Sequence, residues 1–265
     1  MSWIYVWTSP LKSAYVGTTP VKAIYVWTTK VRPSWPDKDY LCFTAKQANS
    51  TVKLSKTWSP TSVNLETSTD WTTWSNYTIW NTITLSSVGS KVYWRNKSTT
   101  ATEFSTSSQN YYRFIMTWSI AWSWDINFLL CKNGTNTVSK HCYFKLFYDA
   151  TSLVSCPKLT ATTINWSNNY MYMFSWCTNL TTVPKLPATG LKNYCYSQMF
   201  AWCSKIGLSA SQTSDYTKAY RIPTSWTWTS ATDWNYRMFY QTLWQTVAPA
   251  MNKTYYLHKD NTIVW

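Results

Sequence analysis

Residues 37–118 contain short runs in which apolar and polar residues alternate, with turn signals every eight to twelve positions. A period of two places the apolar side chains on one face of a strand. The runs are DYLCFTA, STVKLSK, SVNLETS, NYTI, TITLSS, KVYWRN and YYRFIMT. The residues predicted to face the core are Val52, Leu54, Val92, Trp94, Phe114 and Met116. Short strands at this spacing predict an antiparallel, immunoglobulin-like β-sandwich over 37–118.

The pattern changes after residue 118, because residues 119–265 repeat one longer unit. LFYDATSLVSCPKL, MFSWCTNLTTVPKL and MFAWCSKIGL place Phe147, Phe174 and Phe200 at spacings of 27 and 26 residues, and a degenerate copy follows near residue 238. We interpret NYCYSQMFAWC as a short helix and LTTVPKLP as a strand. A repeat of this length predicts a solenoid whose equivalent residues line one core. The last stretch, MNKTYYLHKDNTIV, is interpreted as a capping hairpin in which YYL and TIV flank a Lys-Asp turn.

The first 36 residues carry a ten-residue repeat in three copies, IYVWTSPLK, AYVGTTPVK and IYVWTTKVR, and two prolines close the segment. Each copy is predicted to form a short strand, a turn and a second short strand. The turn position holds Trp7, Gly17 and Trp27 in successive copies. The repeat is otherwise conservative, but this one position holds tryptophan, which has the largest side chain, in two copies and glycine, which has none, in the other.

Composition extends this observation to the whole chain, which has 5 glycines and 20 tryptophans. An ordinary protein of 265 residues has about 19 glycines. Trp71 follows Asp70 between two strand-like runs, where glycine favours a hairpin turn. Trp176 and Trp202 end predicted helices, where a glycine cap is expected. One explanation is that the codon UGA, which some bacteria and their phages read as glycine, was translated as tryptophan.

This interpretation reassigns 17 of the 20 tryptophans and raises the number of glycines from 5 to 22. The reassigned residues are Trp3, Trp7, Trp27, Trp35, Trp58, Trp71, Trp80, Trp118, Trp122, Trp124, Trp166, Trp176, Trp202, Trp226, Trp228, Trp244 and Trp265. Trp74 and Trp94 fit strand patterns that favour an aromatic residue, and Trp234 is left open. The alternative is a truly tryptophan-rich carbohydrate-binding protein.

Charge indicates the kind of partner. Lys and Arg outnumber Asp and Glu by 24 to 10, so the net charge is +14 and an acidic partner is favoured. The basic residues are scattered rather than clustered, and specific nucleic-acid binding is not expected. The sequence contains no run of 18 apolar residues, so no membrane span is predicted. The N-terminus lacks the pattern of a signal peptide, so a component of a virus particle is one option.

The repeats resemble a known family. With Trp176 and Trp202 read as glycine, the stretch MFSWCTNLTTVPKLPATGLKNYCYSQMFAWC is similar to the leucine-rich repeats of BspA-like bacterial surface proteins. The resemblance covers about residues 140–208, and the region before it resembles the domain often found ahead of such repeats. It implies adhesion to proteins or cells and supplies no catalytic residues. After Gly207 the pattern departs from the family, which implies a short solenoid with a small binding face.

Sites for catalysis or metal binding are not indicated. Seven cysteines without a C-x-x-C pair argue against a zinc site or a regular disulfide framework. Cys177 and Cys203, like Cys142 and Cys195, occupy equivalent repeat positions and are interpreted as stacked core residues, with a disulfide between copies as the alternative. His141 and His258 have no supporting triad motif. The ten acidic residues contain no recognisable glycosidase pair.

We therefore predict a mainly β protein with short helices, in three parts with boundaries at 1–36, 37–118 and 119–265. The predicted function is non-enzymatic binding to a protein or glycan on a cell surface or virion, with a tryptophan-rich lectin as the alternative. No cofactor is expected. The predicted ligand-binding residues are Tyr170, Tyr172, Tyr194, Tyr196, Lys185 and Lys192. A role in the core remains the alternative for the repeated tyrosines.

Overall fold

The computed structural model describes residues 39–265 apart from 59–61, 103, 139–140, 224–228, 244–248 and 265, together with the backbone of four two-residue strands before residue 39. The chain divides into two compact units, Met1–Asp39 and Tyr40–Trp265.

The first unit contains two antiparallel hairpins, in the second and third copies of the ten-residue repeat. Their strands are β1 (Tyr15–Val16), β2 (Thr19–Pro20), β3 (Tyr25–Val26) and β4 (Thr29–Lys30). Val16 pairs with Thr19 and Val26 pairs with Thr29, so each hairpin leaves a two-residue connection. The predicted turn positions Gly17 and Trp27 lie outside the described residues. The first copy also lies outside them.

The second unit begins with two antiparallel sheets. Their strands are β5 (Leu41–Ala45), β6 (Ser50–Lys56), β7 (Leu65–Ser68), β8 (Ser75–Asn76), β9 (Ile83–Leu85), β10 (Lys91–Asn96), β11 (Tyr112–Thr117) and β12 (Ile120–Ser123). One sheet has the order β12-β5-β10-β7-β8, and the other has the order β11-β6-β9. Neither sheet is closed, and the predicted runs STVKLSK and KVYWRN form strands over their full length.

Aromatic residues join the two sheets. Phe43 on β5 and Trp94 on β10 contact Phe114 on β11 edge-on, with ring centroids 4.9 and 5.1 Å away. The six residues predicted to face the core are all buried, which confirms the predicted strand faces. Each strand therefore takes the orientation that its alternation of apolar residues requires.

The repeats after residue 118 contain consecutive turns where short helices were predicted. We call these four stretches the turn segments; they span 141–149, 168–176, 194–202 and 233–241. In each of them the first, fifth and ninth residues have positive φ. The predicted helices are therefore wrong, and the helical element among the described residues is a short 3₁₀-helix, Ile126–Leu129.

Hydrogen bonding explains the regularity of the turn segments. In the second segment the N–H groups of Tyr170, Tyr172 and Phe174 donate to carbonyls of the third segment at 2.9 to 3.0 Å. The intervening N–H groups donate to the carbonyl three residues earlier in the same segment. Neighbouring segments therefore stack in register, and turns and inter-segment bonds together satisfy the backbone.

A column of phenyl rings fills the inside of this stack. Phe114, Phe147, Phe174 and Phe200 lie with successive centroids 5.5 Å apart and planes within 12° of parallel, and Phe239 continues the column at 5.1 Å. All five rings are buried. The predicted register of Phe147, Phe174 and Phe200 is thus confirmed, and the column extends back into β11.

The remaining strands are short. They are β13 (Thr137–Val138), β14 (Thr163–Ile164), β15 (Thr182–Pro184), β16 (Leu208–Ser209), β17 (Tyr216–Ile222), β18 (Lys253–His258) and β19 (Thr262–Val264). LTTVPKLP contains β15, as predicted.

The predicted C-terminal hairpin is wrong, although both of its strands exist. Strand β18 pairs with β16 and β17, whereas β19 pairs in parallel with β15. Buried Asn261 fixes this change of partner, because its amide accepts from the N–H of Gly207 at 2.8 Å and donates to the carbonyls of Thr181 and Lys205. These bonds direct the chain away from β18.

The predicted boundary between residues 118 and 119 also needs correction. Strand β12 follows that boundary and pairs with β5 in the first sheet. Trp122 on β12 contacts both Phe43 and Phe147, with centroids 4.1 and 4.2 Å away. The strands and the turn segments therefore share one hydrophobic core, and the unit from Tyr40 to Trp265 is continuous.

Candidate binding surface

The turn segments separate their side chains into inner and outer sets. Predicted ligand residues Tyr170 and Tyr196 belong to the inner set: each is 1% exposed, and their rings stack 5.5 Å apart. They are core residues, so their prediction as contact residues is corrected because the stack covers both faces of each ring. Tyr172 and Tyr194 have positive φ; Tyr172 is partly exposed and Tyr194 is 36% exposed.

The predicted lysines lie outside the turn segments. Lys185 directly follows β15 and is partly exposed, and its N–H donates to the carbonyl of Val264. Lys192 precedes the third turn segment and is exposed. The structure instead places Lys145, which sequence reasoning did not select, against the tyrosines of the outer set.

Lys145 lies at the centre of a cluster of aromatic rings. Its Nζ is 5.2 to 5.5 Å from four ring centroids. The four rings belong to Tyr111, Phe144, Tyr148 and Tyr172. We call Lys145 and these rings the Lys145 cluster. An ammonium over aromatic ring faces is attracted by the negative face of each ring.

Contacts between the rings fix the geometry of the cluster. The ring of Phe144 meets those of Tyr111 and Tyr172 edge-on at 5.5 and 6.0 Å. Gln198 of the third turn segment donates its amide N–H to the Tyr172 hydroxyl at 2.7 Å. Three levels of the stack and the residue before β11 therefore contribute, and sequence periodicity alone gave no signal for the contribution of Tyr111.

The local electrostatics are positive. Burial lowers the pKa of Lys145, and the nearby Arg113 guanidinium lowers it further. Burial raises the pKa of Tyr148, and Asp149 adds to that increase. Neither Lys145 nor Arg113 forms an ion pair with a carboxylate among the described residues. Within the described part of the chain, aromatic rings rather than a carboxylate stabilise the Lys145 ammonium.

Backbone conformation bears on the excess of tryptophan. Nine of the reassigned tryptophans lie among the described residues, and seven of them have φ between 50° and 78°. The seven are Trp58, Trp71, Trp80, Trp118, Trp124, Trp176 and Trp202. Trp74, Trp94 and Trp234 are not in this group. Positive φ is disfavoured for side chains with a Cβ and readily adopted by glycine.

Two reassigned tryptophans behave differently. Trp122 is 4% exposed in the shared core and does not have positive φ, so its reassignment to glycine finds no support in the backbone. Trp166 is 56% exposed without positive φ. The tryptophans with positive φ also differ in exposure: Trp176 is exposed, whereas Trp71 packs against a small buried cluster that includes Tyr40.

The Trp176 and Trp202 rings stack 4.9 Å apart and 9° from parallel, on the ninth position of adjacent turn segments. Asp149 and Gln241 occupy the same position in the outer segments. A pair of stacked indoles on a surface has the apolar area that packs against a sugar ring, as the lectin alternative requires.

Reactive side chains show no assembled site in the part of the chain that the structure describes. No group of three His, Cys, Asp or Glu residues is placed to hold a metal ion there. All seven cysteines are described, and they are buried thiols rather than disulfides. Burial raises the pKa of Cys156 and Cys195 to about 12, so both thiols stay protonated near neutral pH.

A shallow polar groove lies where Trp118 and Ser119 approach the loops of the first repeats at Thr151 and Asn179. It also includes Lys205. The groove contains one cation and one of the seven tryptophans with positive φ. The Lys145 cluster is more fully assembled, because four rings converge on one ammonium.

The architecture defines a mainly β protein with almost no helix and several open antiparallel sheets. No family model matches the chain, and no match is found among curated proteins or solved structures. Within the described residues, no helix has the length and apolar character needed to cross a membrane.

Proposed function

We propose that this chain is a non-enzymatic binding protein of a cell or virion surface, built on a short leucine-rich-repeat-like solenoid of the BspA-like kind. The observation that carries the proposal is the in-register stack of turn segments. Stacking equivalent residues presents one set of side chains repeatedly on a single outer face. Weak contacts made by such a face are multiplied when many copies act together.

The partner that fits this face is a protein or glycan of acidic character. The net charge of +14 favours such a partner, and Tyr172 and Tyr194 supply amphipathic contact area. The immunoglobulin-like sandwich predicted from the sequence would then support the repeat face, because the phenyl column includes Phe114 of β11 as well as rings of the turn segments.

We also propose that the natural protein has glycine at the seven tryptophans with positive φ. Two observations support this proposal. Glycine is scarce in the sequence, and these seven tryptophans, which sequence context already assigned to glycine, have positive φ. Sequencing the coding DNA at codons 71, 118, 176 and 202, which are four of these seven positions, tests the proposal. UGA at these codons is expected, and UGG would refute it.

A lectin is the second candidate, and the stacked Trp176–Trp202 pair is the observation that favours it. The two candidates differ in what the indoles do. If both tryptophans are genuine and bind sugar, replacing them with glycine abolishes binding to neutral glycans. If they stand for glycine, the same replacement leaves surface binding intact.

The experiment measures binding of the labelled full chain to bacterial cells, extracted cell-wall glycans and immobilised surface proteins. The variant Tyr172→Ala/Tyr194→Ala changes the outer face, and Tyr256→Ala on β18 is the matched control. We expect the double variant to lose most of the binding and the control to retain it. Undiminished binding by a folded double variant would show that the turn-segment face is not the binding surface.

A further inference from the structure

Two cations, Lys145 of the Lys145 cluster and the neighbouring Arg113, lie close together on this surface. Lys145 and Arg113 are both partly exposed, burial and the nearby Arg113 guanidinium lower the pKa of Lys145, and no described carboxylate pairs with either cation. A ligand carrying negative charge would relieve this repulsion. The four rings keep the ammonium in place while the site is empty, so little side-chain entropy would be lost on binding.

The backbone around the cluster favours recognition through side chains. The N–H groups of the first turn segment donate alternately to the next segment and to carbonyls three residues earlier. An extended peptide recognised by strand addition needs an unpaired backbone edge. Hydrogen bonds within the stack already occupy these backbone N–H groups. The surface therefore offers ring faces, tyrosine hydroxyls and cations to a ligand.

These groups match an acidic carbohydrate. A sugar ring has an apolar C–H face that packs on an aromatic ring, and its hydroxyls pair with phenolic groups. The rings of Tyr148 and Tyr172 meet edge-on with centroids 6.4 Å apart, and each centroid lies within 5.4 Å of the ammonium. Gln198 holds Tyr172 in place through its amide.

We propose that the Lys145 cluster binds an anionic polysaccharide, with an acidic group against Lys145 and Arg113 and sugar rings against Tyr148 and Tyr172. This inference rests on the proposed function and names its ligand class. The cluster contains no tryptophan, so it is independent of how the UGA codons are read. The acidic group can be a carboxylate, a sulfate or a phosphate, which share the same charge.

The test measures the affinity of the full chain for four polysaccharides by biolayer interferometry. Polygalacturonate, heparin and wall teichoic acid carry carboxylate, sulfate and phosphate, and dextran is the neutral control. We expect at least one anionic polymer to bind, more weakly as salt is raised, and dextran not to bind. The anionic polymer that binds best identifies the acidic group. Poly-glutamate is included, and if it binds as well as the best polysaccharide, the ligand is an acidic protein and the proposal fails.

Matched variants connect binding to the cluster. Lys145→Gln and Tyr148→Ala should each weaken binding about tenfold, as expected for loss of one desolvated contact. Lys253→Gln removes the same charge from an exposed position at the start of β18 and should have no effect. Lys145→Arg keeps the charge and should retain most of the affinity. This variant keeps the test decisive if Lys145→Gln does not fold. Equal losses in Lys145→Gln and Lys253→Gln would show only non-specific charge attraction and overturn the proposal.

The two proposals fail in distinguishable ways. If the chain binds cells through Tyr172 and Tyr194 but binds no anionic polysaccharide, the proposed function stands and this inference falls. If it binds neither cells nor polymers, both fall.

Discussion

At the scale of single residues, backbone conformation bears on the uneven use of glycine and tryptophan. A Cβ makes positive φ unfavourable by about 1–2 kcal/mol, and seven described tryptophans adopt it. Trp94 and Trp122, in contrast, fill the core between aromatic neighbours. Positive φ therefore separates these seven tryptophans from Trp94 and Trp122, which pack in the shared core.

Two equally exposed tryptophans provide a test. Trp118 is 57% exposed with φ 60°, and Trp166 is 56% exposed without positive φ. We expect Trp118→Gly to raise the free energy of unfolding by about 1 kcal/mol, because it removes backbone strain. Trp166→Gly should lower it by about 0.5–1 kcal/mol, because glycine gains freedom in the unfolded chain. Urea titration of both variants measures the difference, and equal effects would contradict a role for φ.

At the scale of elements, the turn segments show how one sequence pattern can fit two structures. Tyr170 and Phe174 are four residues apart, and residues at that spacing share a face of an α-helix. Turns with positive φ at every fourth residue also place both side chains inside. Hydrogen bonds to the next segment, which lies 25, 26 or 38 residues away, decide between the two, and a local pattern does not show them.

The phenyl column should account for much of the stability of this stack. Phe174 is fully buried between Phe147 and Phe200. Phe174→Ala should lower the free energy of unfolding by about 3–5 kcal/mol through the cavity that it leaves. Tyr194→Ala, on the outer face, should change it by less than about 0.5 kcal/mol. Chemical denaturation checks both values, and a small loss at Phe174 would argue against the column.

At the scale of the whole molecule, continuity of the core replaces the three-part organisation expected from sequence. Strand β12 completes the first sheet, and the ring of Phe114 on β11 stacks on Phe147 of the first turn segment. The division into compact units falls instead between Asp39 and Tyr40.

Truncation tests this organisation. A fragment ending at residue 118 lacks β12 and the rings that cover Phe114, so we expect it to unfold without a cooperative transition. The fragment 40–265 keeps every described contact of the second unit and should melt cooperatively, close to the full chain. Circular dichroism melting curves distinguish the two, and a cooperatively folded 1–118 fragment would restore the boundary at 118.

The sequence by itself determined the strands between Leu41 and Thr117, their buried faces, the register of the phenylalanines and seven of the positions that adopt positive φ. Each of these follows from short-range patterns, since alternation, repeat spacing and turn chemistry act within a few residues. Only the tertiary structure decided the partner of β18, the non-helical turn segments, the burial of Tyr170 and Tyr196, and the meeting of Lys145 with Tyr111. These depend on hydrogen bonds and ring contacts between residues distant in the chain, and no local pattern specifies which partner is nearest.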